Sequence, residues 1–424
     1  MKIAVIGSGI AGNVAAYHLS REHEVTVFEA GSHVGGHTHT HELEQAGRHY
    51  SVDTGFIVFN DWTYPNFIRL LDELGVASQP SPMSFSVRDE ASGLEYNGTS
   101  LDSLFAQRRN LVRPSFWRMI HDILRFNREA PSLIGQAGGD VSLGEYLSAS
   151  NYSGEFIEHY IIPMGAAIWS TAPASMRRFP ARYFVSFFHN HGMLSVDRRP
   201  QWRVIRGGSA RYVAALTARF RERIRLDTPV QSVRRVAGQA YLKARGHETE
   251  RFDAVFFACH SDQALAILAD ATPLEREILG AIPYQTNEAV LHTDTRLMPK
   301  ARRAWAAWNC HVLADRRDQA ALTYNMNILQ SLDAPAPFLV TLNHTGAIGP
   351  AKILKRIRYE HPLYTPAAVA AQARQQEING PLNTYFCGAY WRSGFHEDGV
   401  VSALDALAHF QARSHAQRTL YRAS

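Results

Sequence analysis

The feature that most constrains the fold lies at the start of the chain, where a glycine-rich turn joins a short strand to a helix. Lys2–Ile6 is apolar and strand-like, and Gly7-Ser8-Gly9-Ile10-Ala11-Gly12 follows it directly. Residues 13–20 have the packing pattern of a helix, and a second predicted strand at 25–28 ends at Glu29. A strand–turn–helix–strand unit with this glycine spacing predicts an α/β domain that binds a dinucleotide.

Each residue type in this unit has a physical reason to be there. Gly7 permits the tight turn, Gly9 lets the backbone approach a pyrophosphate, and Gly12 allows the helix to pack closely on the strand. Ile10 and Ala11, in the turn before the predicted helix, are assigned to the cofactor, because N–H groups at a helix N-terminus attract phosphate. The carboxylate of Glu29, 20 residues after Gly9, can accept hydrogen bonds from a ribose diol and would repel a 2′-phosphate.

Composition and charge exclude several classes of protein. The 424 residues are 46% hydrophobic and 20% charged, which are globular values and rule out collagen-like and disordered chains. The three cysteines, Cys259, Cys310 and Cys387, have no C-x-x-C spacing, so neither a disulfide scaffold nor a structural zinc site is expected. No nucleic-acid-binding motif is present. With no signal peptide or apolar span recognised, the prediction is a cytoplasmic protein.

The residues after the second strand carry a resemblance to a known family. Glu29-Ala30 is followed by Gly35-Gly36-His37-Thr38, an order that resembles the flavin amine oxidase and phytoene desaturase superfamily. That resemblance implies FAD as the cofactor, bound by Ala30, Gly35, Gly36, His37 and Thr38. It also implies that Gly55 and Phe56 pass beside the isoalloxazine ring and that Val230 packs by the adenine. Many members have Arg or Lys where this chain has His37, so a fixed positive charge is not implied there.

The C-terminal segment resembles the second half of the same signature. A predicted strand at 382–387 leads into Gly388, and a loop ending in Gly394-Phe395-His396-Glu397-Asp398-Gly399 enters a helix. In the superfamily a glycine and the first turn of this helix meet the flavin, which assigns Gly388, Asp398, Gly399 and Val400 to the cofactor. A helix N-terminus would stabilise the negative charge of a reduced flavin. His396 and Glu397 are the candidate catalytic residues, and the alternative is that they only brace the turn.

The resemblance defines a fold class and a domain arrangement. We expect a Rossmann-like, glutathione reductase-type FAD domain with an inserted α+β substrate domain, as in amine oxidases. The FAD domain is predicted to comprise residues 1–80, 200–285 and 376–424, and the substrate domain residues 81–199 and 286–375. No second Gly-x-Gly-x-x-Gly is present, so a separate NADPH domain is not expected.

Longer phrases narrow the resemblance. Val52-Asp53-Thr54-Gly55-Phe56 and Tyr324-Asn325-Met326-Asn327 are similar to bacterial stand-alone FAD proteins encoded beside cyclopropane fatty acid synthase-like methyltransferases. This implies dehydrogenation of a methylated or unsaturated fatty acyl chain, with the methyltransferase as a partner. Three alternatives stay open, namely an amine oxidase, a redox-neutral fatty acyl isomerase and a non-catalytic FAD-binding partner of the methyltransferase. The amine oxidase would need a lysine near the flavin, for which Lys300 is the candidate.

Two further patterns have more than one interpretation. Residues 116–128 predict an amphipathic helix with Trp117, Ile120, Ile123 and Leu124 on one face and arginines mostly off it. It is either a surface helix over a core or a peripheral contact with the inner membrane surface. His37, His39 and His41 alternate, so a strand would place them on one face as a metal triad. Because the first of them lies in the pyrophosphate loop, no metal is predicted.

Overall fold

The structure is a computed structural model that describes residues 1–135, 141–314 and 321–423. Its strands have the following bounds: β1 Lys2–Ile6, β2 Glu24–Phe28, β3 Thr40–Gln45, β4 Arg48–Asp53, β5 Phe59–Asn60, β6 Ser78–Pro80, β7 Phe85–Asp89, β8 Glu95–Asn97, β9 Trp202–Ile205, β10 Ile224–Arg225, β11 Val230–Val236, β12 Gln239–Ala244, β13 Thr249–Phe252, β14 Ala254–Phe257, β15 Tyr284–His292, β16 Trp308–Val312, β17 Ala321–Asn325, β18 Leu339–Leu342, β19 Ile353–Pro362 and β20 Thr384–Phe386.

The α-helices connect and cover these strands. Their bounds are α1 Ile10–Leu19, α2 Pro65–Leu74, α3 Leu101–Leu104, α4 Pro114–Glu129, α5 Leu143–Ala149, α6 Gly154–Phe156, α7 Ile162–Trp169, α8 Pro173–Arg177, α9 Ala181–Asn190, α10 Ala210–Thr217, α11 Ser261–Ile267, α12 Pro273–Gly280, α13 Met326–Leu329, α14 Pro366–Gln372, α15 Gln375–Ile378 and α16 His396–Ala423.

A five-stranded parallel sheet in the order β10-β2-β1-β14-β20 forms the centre of the first layer. Val5 stands between Val27 and Phe256 in the register, and all three side chains are buried. Helices α1 and α16 pack together on one face of this sheet, and β11 to β13 with α11 and α12 cover the other face. Both faces are therefore buried, which explains the continuous apolar runs of the strands. The predicted strand–turn–helix–strand unit is confirmed, although α1 begins three residues earlier than predicted.

The glycines of the first turn occupy the positions that the motif requires. Gly7 has φ +103°, and a Cβ there would lie 2.7 Å from the carbonyl oxygen of Ala258. A Cβ on Gly12 would lie 2.0 Å from the carbonyl oxygen of Gly7, so only glycine lets α1 pack this closely on β1. A Cβ on Gly9 would meet no atom within 4 Å, which leaves the space beside this residue open for a ligand.

The second layer is a seven-stranded sheet in the order β19-β15-β18-β17-β16-β7-β8 with a group of helices beside it. Helices α4 to α9 pack around buried aromatic residues, among them Phe126, Phe156, Phe184 and Phe188. All strands of the five-stranded sheet come from the three segments predicted for the FAD domain. The strands of the second sheet come from the two segments predicted for the substrate domain, except that β15 starts at Tyr284, two residues before the predicted boundary. The mixed α/β architecture predicted from the sequence is confirmed, while the domain boundaries stay a prediction, with Ser424 outside the described residues.

Helix α4 forms where it was predicted, and its apolar side chains include both buried and exposed ones. Phe116, Met119 and Phe126 are buried in the core, whereas Trp117 is 48% exposed. The helix therefore has a buried apolar side in addition to the predicted face of Trp117, Ile120, Ile123 and Leu124, whose residues are half-buried or exposed. Over the described ranges, no helix has both the length and the apolar character needed to cross a membrane.

Candidate active site

One large cavity of about 1370 Å³ runs from the glycine-rich turn of the first layer into the helices and sheet of the second. Its volume exceeds the roughly 300–1,000 Å³ that is usual for a single small-molecule site. Gly7, Gly9 and Glu29 stand in its wall at one end, and Ile120 and Leu124 of α4 stand at the other. The cavity therefore has room for a dinucleotide and a second molecule.

The N-terminus of α1 opens into the cavity. Gly9 precedes the helix, and no side chain caps its first N–H groups. Ile10 and Ala11, the first helical residues, belong to the cavity wall. Free N–H groups and the helix dipole make this end a site for an anionic group such as a pyrophosphate.

Glu29 lies at the end of β2, where it holds the turn in place and faces the cavity. One oxygen of its carboxylate accepts hydrogen bonds from the Ser8 backbone N–H at 2.8 Å and from Ser8 Oγ at 2.6 Å. The other oxygen accepts from the Gly31 N–H at 2.8 Å. The carboxylate is thus fixed beside the open space at Gly9, where it can meet a ribose.

The Gly-Gly-His loop brings His37 into the cavity wall beside residues of the second layer. Its ring stacks on His361 with a centroid separation of 5.2 Å and lies 4.9 Å from the ring of Tyr359. Burial lowers the pKa of His37 well below its ordinary value and that of His361 to about 4, so both imidazoles are neutral at pH 7. This region of the wall carries polar but uncharged groups in place of the basic residue that many superfamily members have.

The same loop is tied to the hairpin formed by β3 and β4. The Phe56 N–H donates to the carbonyl oxygen of His37 at 2.8 Å, and a Cβ on Gly55 would lie 2.0 Å from that oxygen. Asp53, fully buried, accepts from the Ser209 N–H and from the hydroxyls of Ser209 and Thr40. Burial raises the pKa of Asp53 to about 6. Asp53 is outside the cavity wall and connects the hairpin to α10.

His396 is the first residue of α16 and is buried in the cavity wall. Its Nε2 lies 3.0 Å from Thr38 Oγ1 and 2.8 Å from the Tyr212 hydroxyl, and its ring stacks on Phe56 at 3.4 Å. Burial lowers the pKa of this imidazole to about 3, so it is uncharged at neutral pH. These contacts orient the ring firmly and engage Nε2 with two hydroxyls.

Glu397, the second candidate catalytic residue, has a different environment. Its carboxylate accepts from the Asn66 backbone N–H at 3.0 Å, from the Asn66 side-chain amide at 2.6 Å and from the Phe67 N–H at 2.8 Å. It therefore caps the N-terminus of α2 and lies outside the cavity wall. Both carboxylate oxygens are thus engaged by hydrogen bonds that hold α2 in place, which makes Glu397 a helix cap.

The structure brings most of the predicted cofactor residues together in this wall. Those in the wall are Gly7, Gly9, Ile10, Ala11, Glu29, Ala30, Gly35, Gly36, His37, Gly55, Phe56, Val230 and Gly388. The predicted cofactor residues that do not line the cavity are Gly12, Thr38, Asp398, Gly399 and Val400. Gly12 and Gly399 serve helix packing, since a Cβ on Gly399 would lie 2.5 Å from the Ile10 side chain. Asp398 accepts from the Phe395 N–H at 2.9 Å, and burial raises its pKa to about 7.

The far end of the cavity is apolar, and we call it the apolar end. Its walls come from α4, α7, α9 and the strands of the second sheet: Phe85, Tyr96, Leu104, Ile120, Ile123, Leu124, Tyr160, Met164, Ile168, Trp169, Phe187, Met193, Val196, Trp308, Tyr324, Leu342 and Ile357. Among the described residues, the carboxylates of the whole cavity wall are those of Glu29 and Glu360. A hydrocarbon chain would be desolvated here without leaving a buried charge unpaired.

The lysine that the amine oxidase alternative requires is not in this wall. All five lysines lie within the described ranges, and none of them lines the cavity. Lys300 is exposed, and its backbone N–H donates to Glu95. Lys300 is therefore not a wall residue, because its segment is held against β8 by hydrogen bonds from the Lys300 and Ala301 N–H groups to Glu95.

The alternating histidines do not share one face. His37 turns toward His361, whereas His39 stacks on His33 at 4.0 Å and contacts His41 at 4.1 Å. The strand β3 begins only at Thr40, so the two-residue period does not apply to His37 and His39. Within the part of the chain that is described, no three His, Cys, Asp or Glu side chains are arranged to hold a metal ion.

Sequence reasoning missed the wall residues contributed by β19 and the loop after β14. Tyr359 and His361 on β19 and His260 after β14 all face the cavity. Tyr359 and His361 are separated by two positions in a strand, which is a signal that they share a face. Nothing in the sequence indicates that this face meets the Gly-Gly-His loop, since that contact joins residues more than 300 positions apart.

Comparison with known proteins agrees with this geometry. Residues 10–337 match the family described as flavin containing amine oxidoreductase. A segment of 55 residues is 44% identical to the flavin-dependent L-tryptophan oxidase RebO of Lentzea aerocolonigenes, and this match spans 13% of the chain and 12% of that protein.

Solved structures resemble nearly the whole chain. Cyclohexylamine oxidase from Brevibacterium oxydans superposes with a TM-score of 0.70 at 16% identity, over 97% of this chain and 99% of its own. A fatty acid isomerase from P. acnes superposes with a TM-score of 0.66 at 15% identity, over 96% and 98%. The chain belongs to the flavin containing amine oxidoreductase family. It is a flavin-dependent oxidoreductase with FAD as its cofactor.

The residues present fit that cofactor. The open space at Gly9, the uncapped N-terminus of α1 and the fixed Glu29 carboxylate would hold the pyrophosphate and a ribose. The cavity continues from there past Gly55 and His396, so the isoalloxazine would lie between the two layers.

Proposed function

We propose that this oxidoreductase dehydrogenates a long, apolar fatty acyl chain that is methylated or unsaturated. The observation that carries the proposal is the apolar end of the cavity, which is continuous with the dinucleotide end. The size and apolar walls of this end match a hydrocarbon chain better than a small polar substrate. A fold relative described as a fatty acid isomerase supports the view that this architecture can hold acyl chains.

The scarcity of charge in the wall favours an acyl chain over an amine. An ammonium group buried there would need a carboxylate partner, and Glu29 is already engaged by Ser8 and Gly31. Glu360 lies near Arg358 and His260, and the His260 ring is 6.4 Å from that of His37 at the dinucleotide end. The family name and the fold relatives that oxidise amines keep amine oxidation as the competing activity, and the experiment below separates the two.

The chemistry that FAD supplies when bound is the acceptance of a hydride from a substrate carbon. The protein's part is to hold the chain in the apolar end, to exclude water, and to receive the proton that leaves the adjacent carbon. The stacked pair His37 and His361 has neutral imidazoles in the wall, and because burial lowers their pKa, a proton taken there would pass on to solvent at neutral pH. The substrate thereby loses one hydride and one proton, a two-electron oxidation, and dioxygen, a quinone or a small carrier must reoxidise the cofactor.

His396 is a positioning residue in this proposal. Its Nε2 is engaged by Thr38 and Tyr212, and its ring presses on Phe56 beside the cavity. The stacking of His396 on Phe56 holds in place the segment Gly55-Phe56, which is predicted to lie beside the flavin.

The test is anaerobic mixing of the FAD-loaded protein with dispersed fatty acids or phospholipids that carry methylated or unsaturated chains. Loss of the oxidised flavin absorbance, with a product lighter by two hydrogen atoms, is the expected result. Bleaching by primary amines and not by lipids would refute the acyl proposal and favour an amine oxidase. A shifted double bond with no net bleaching and unchanged mass would favour the isomerase alternative.

A further inference from the structure

The apolar end of the cavity reaches the protein surface beside α4. Leu124 is 52% exposed and Val196 is 62% exposed, and both also belong to the cavity wall. Arg199 is likewise an exposed residue of the cavity wall. These three residues mark a mouth through which an apolar molecule can enter without passing the dinucleotide end.

An exposed apolar surface continues outward from this mouth. Leu124 lies seven residues after Trp117, which is two turns of α4 on the same side of the helix. The Trp117 Nε1–H donates to the carbonyl oxygen of Leu111 at 2.9 Å, so the preceding short helix is held against the tryptophan. Val112, next to Leu111, is 85% exposed. We call Leu111, Val112, Trp117 and Leu124 the docking face.

The charges around the docking face are positive. Residues 101–128 contain six arginines and two aspartates. Arg108 and Arg118 pair with Asp102 and Glu155. Among the described residues, no carboxylate pairs with Arg109 or Arg113, which flank Leu111 and Val112 in the sequence, and Arg109 is exposed. An exposed apolar strip flanked by unpaired arginines matches the headgroup and acyl layers of an anionic bilayer.

We propose that the docking face binds the surface of a bilayer rich in anionic phospholipid, with Arg109 and Arg113 on the headgroups. The mouth at Leu124 and Val196 would then open against the lipid, and an acyl substrate would move from the bilayer into the apolar end without crossing water. This inference deepens the proposed function and, for the source of the substrate, rests on it. Docking itself is independent of the reaction.

Vesicle binding by the FAD-loaded full-length protein tests the proposal. The protein is expected to sediment with vesicles of phosphatidylcholine and phosphatidylglycerol and not with phosphatidylcholine alone. Val112→Glu and Arg109→Glu are each expected to weaken partitioning about fivefold or more, since each basic residue near an anionic surface contributes about 1 kcal/mol. The matched controls Val236→Glu and Arg251→Glu, on exposed residues of the separate sheet of β11, β12 and β13, should remain within about twofold of the parent.

Trp117 provides a second measurement that does not depend on affinity. Lipids brominated on the acyl chain should quench a component of the tryptophan emission that is missing in Trp117→Phe. Equal weakening by the two control variants, or unquenched emission in bound protein, would overturn the proposal. If Val112→Glu instead dissociates a dimer in size-exclusion chromatography and vesicles do not bind, the docking face is an interface between copies of this chain.

Failure of this inference can be told apart from failure of the proposed function. Flavin bleaching by detergent-dispersed acyl chains without vesicle binding would refute docking and leave the reaction in place. Vesicle binding without bleaching by any acyl chain would support docking and refute the reaction.

Discussion

Replacing Glu397 tests whether this carboxylate is a structural cap or a catalytic base. Its two oxygens accept from two backbone N–H groups and one amide at the start of α2, where Phe67 is buried and Asn66 is half-buried. In Glu397→Ala both N–H groups lose their partner, and each such loss costs about 1–3 kcal/mol. The free energy of unfolding should therefore fall by about 2–6 kcal/mol. In Glu397→Gln one acceptor oxygen remains, so we expect a fall of about 1–3 kcal/mol.

The assay measures urea unfolding by flavin and tryptophan emission, together with the rate constant of anaerobic bleaching in the folded, FAD-loaded fraction. If Glu397 is a cap, the bleaching rate constant of Glu397→Gln should stay within about threefold of the parent, whereas loss of a general base costs about 10²–10⁴-fold. Asp405→Asn, on an exposed residue of the same helix α16, is the control and should change stability by less than about 1 kcal/mol. A large loss of rate with unchanged unfolding would refute the reasoning and restore Glu397 as a base.

Three further outcomes follow from the same structure. Gly12→Val should yield protein that does not retain FAD in spectra of the purified protein, because its Cβ would overlap the Gly7 carbonyl, whereas Gly9→Ala should fold and bind FAD more weakly by titration. Burial lowers the pKa of His311 to about 3, so the unfolded chain binds a proton below about pH 6.5 that the folded chain does not. The free energy of unfolding should therefore decrease as pH falls from 7 to 5, with up to about 2 kcal/mol from this residue, and in His311→Asn this component of the pH dependence should be absent from urea titrations. Met164→Trp narrows the apolar end and should slow bleaching by long acyl chains far more than by short ones, with FAD content unchanged; equal slowing for all lengths would contradict the assigned binding mode.

The cofactor end of this protein could be predicted from the sequence because its determinants are local. Gly7, Gly9, Gly12 and Glu29 act within one strand–turn–helix–strand unit, where spacing along the chain fixes spacing in space. The same holds for the strand before Gly388, which was predicted at 382–387 and is observed at Thr384–Phe386. Family resemblance then supplied the identity of the cofactor.

Only the tertiary structure decided what the individual side chains do. Glu397 is next to His396 in the sequence, yet one caps α2 and the other faces the cavity, because successive residues of a helix point in directions about 100° apart. The exposure of Trp117 depends on which elements pack against α4. The periodicity of the helix itself does not encode those neighbours. The apolar end combines residues from 85 to 357, brought together by strand pairing across the second sheet.

The sequence by itself therefore determined the dinucleotide fold and its glycine-rich turn, since short-range sterics and helix electrostatics set them. The shape of the substrate space, the neutral pair of His37 and His361 and the mouth beside Leu124 arise from contacts between segments hundreds of residues apart. Burial and charge at such contacts depend on the neighbours that folding brings in, and for that reason the tertiary structure alone specifies them.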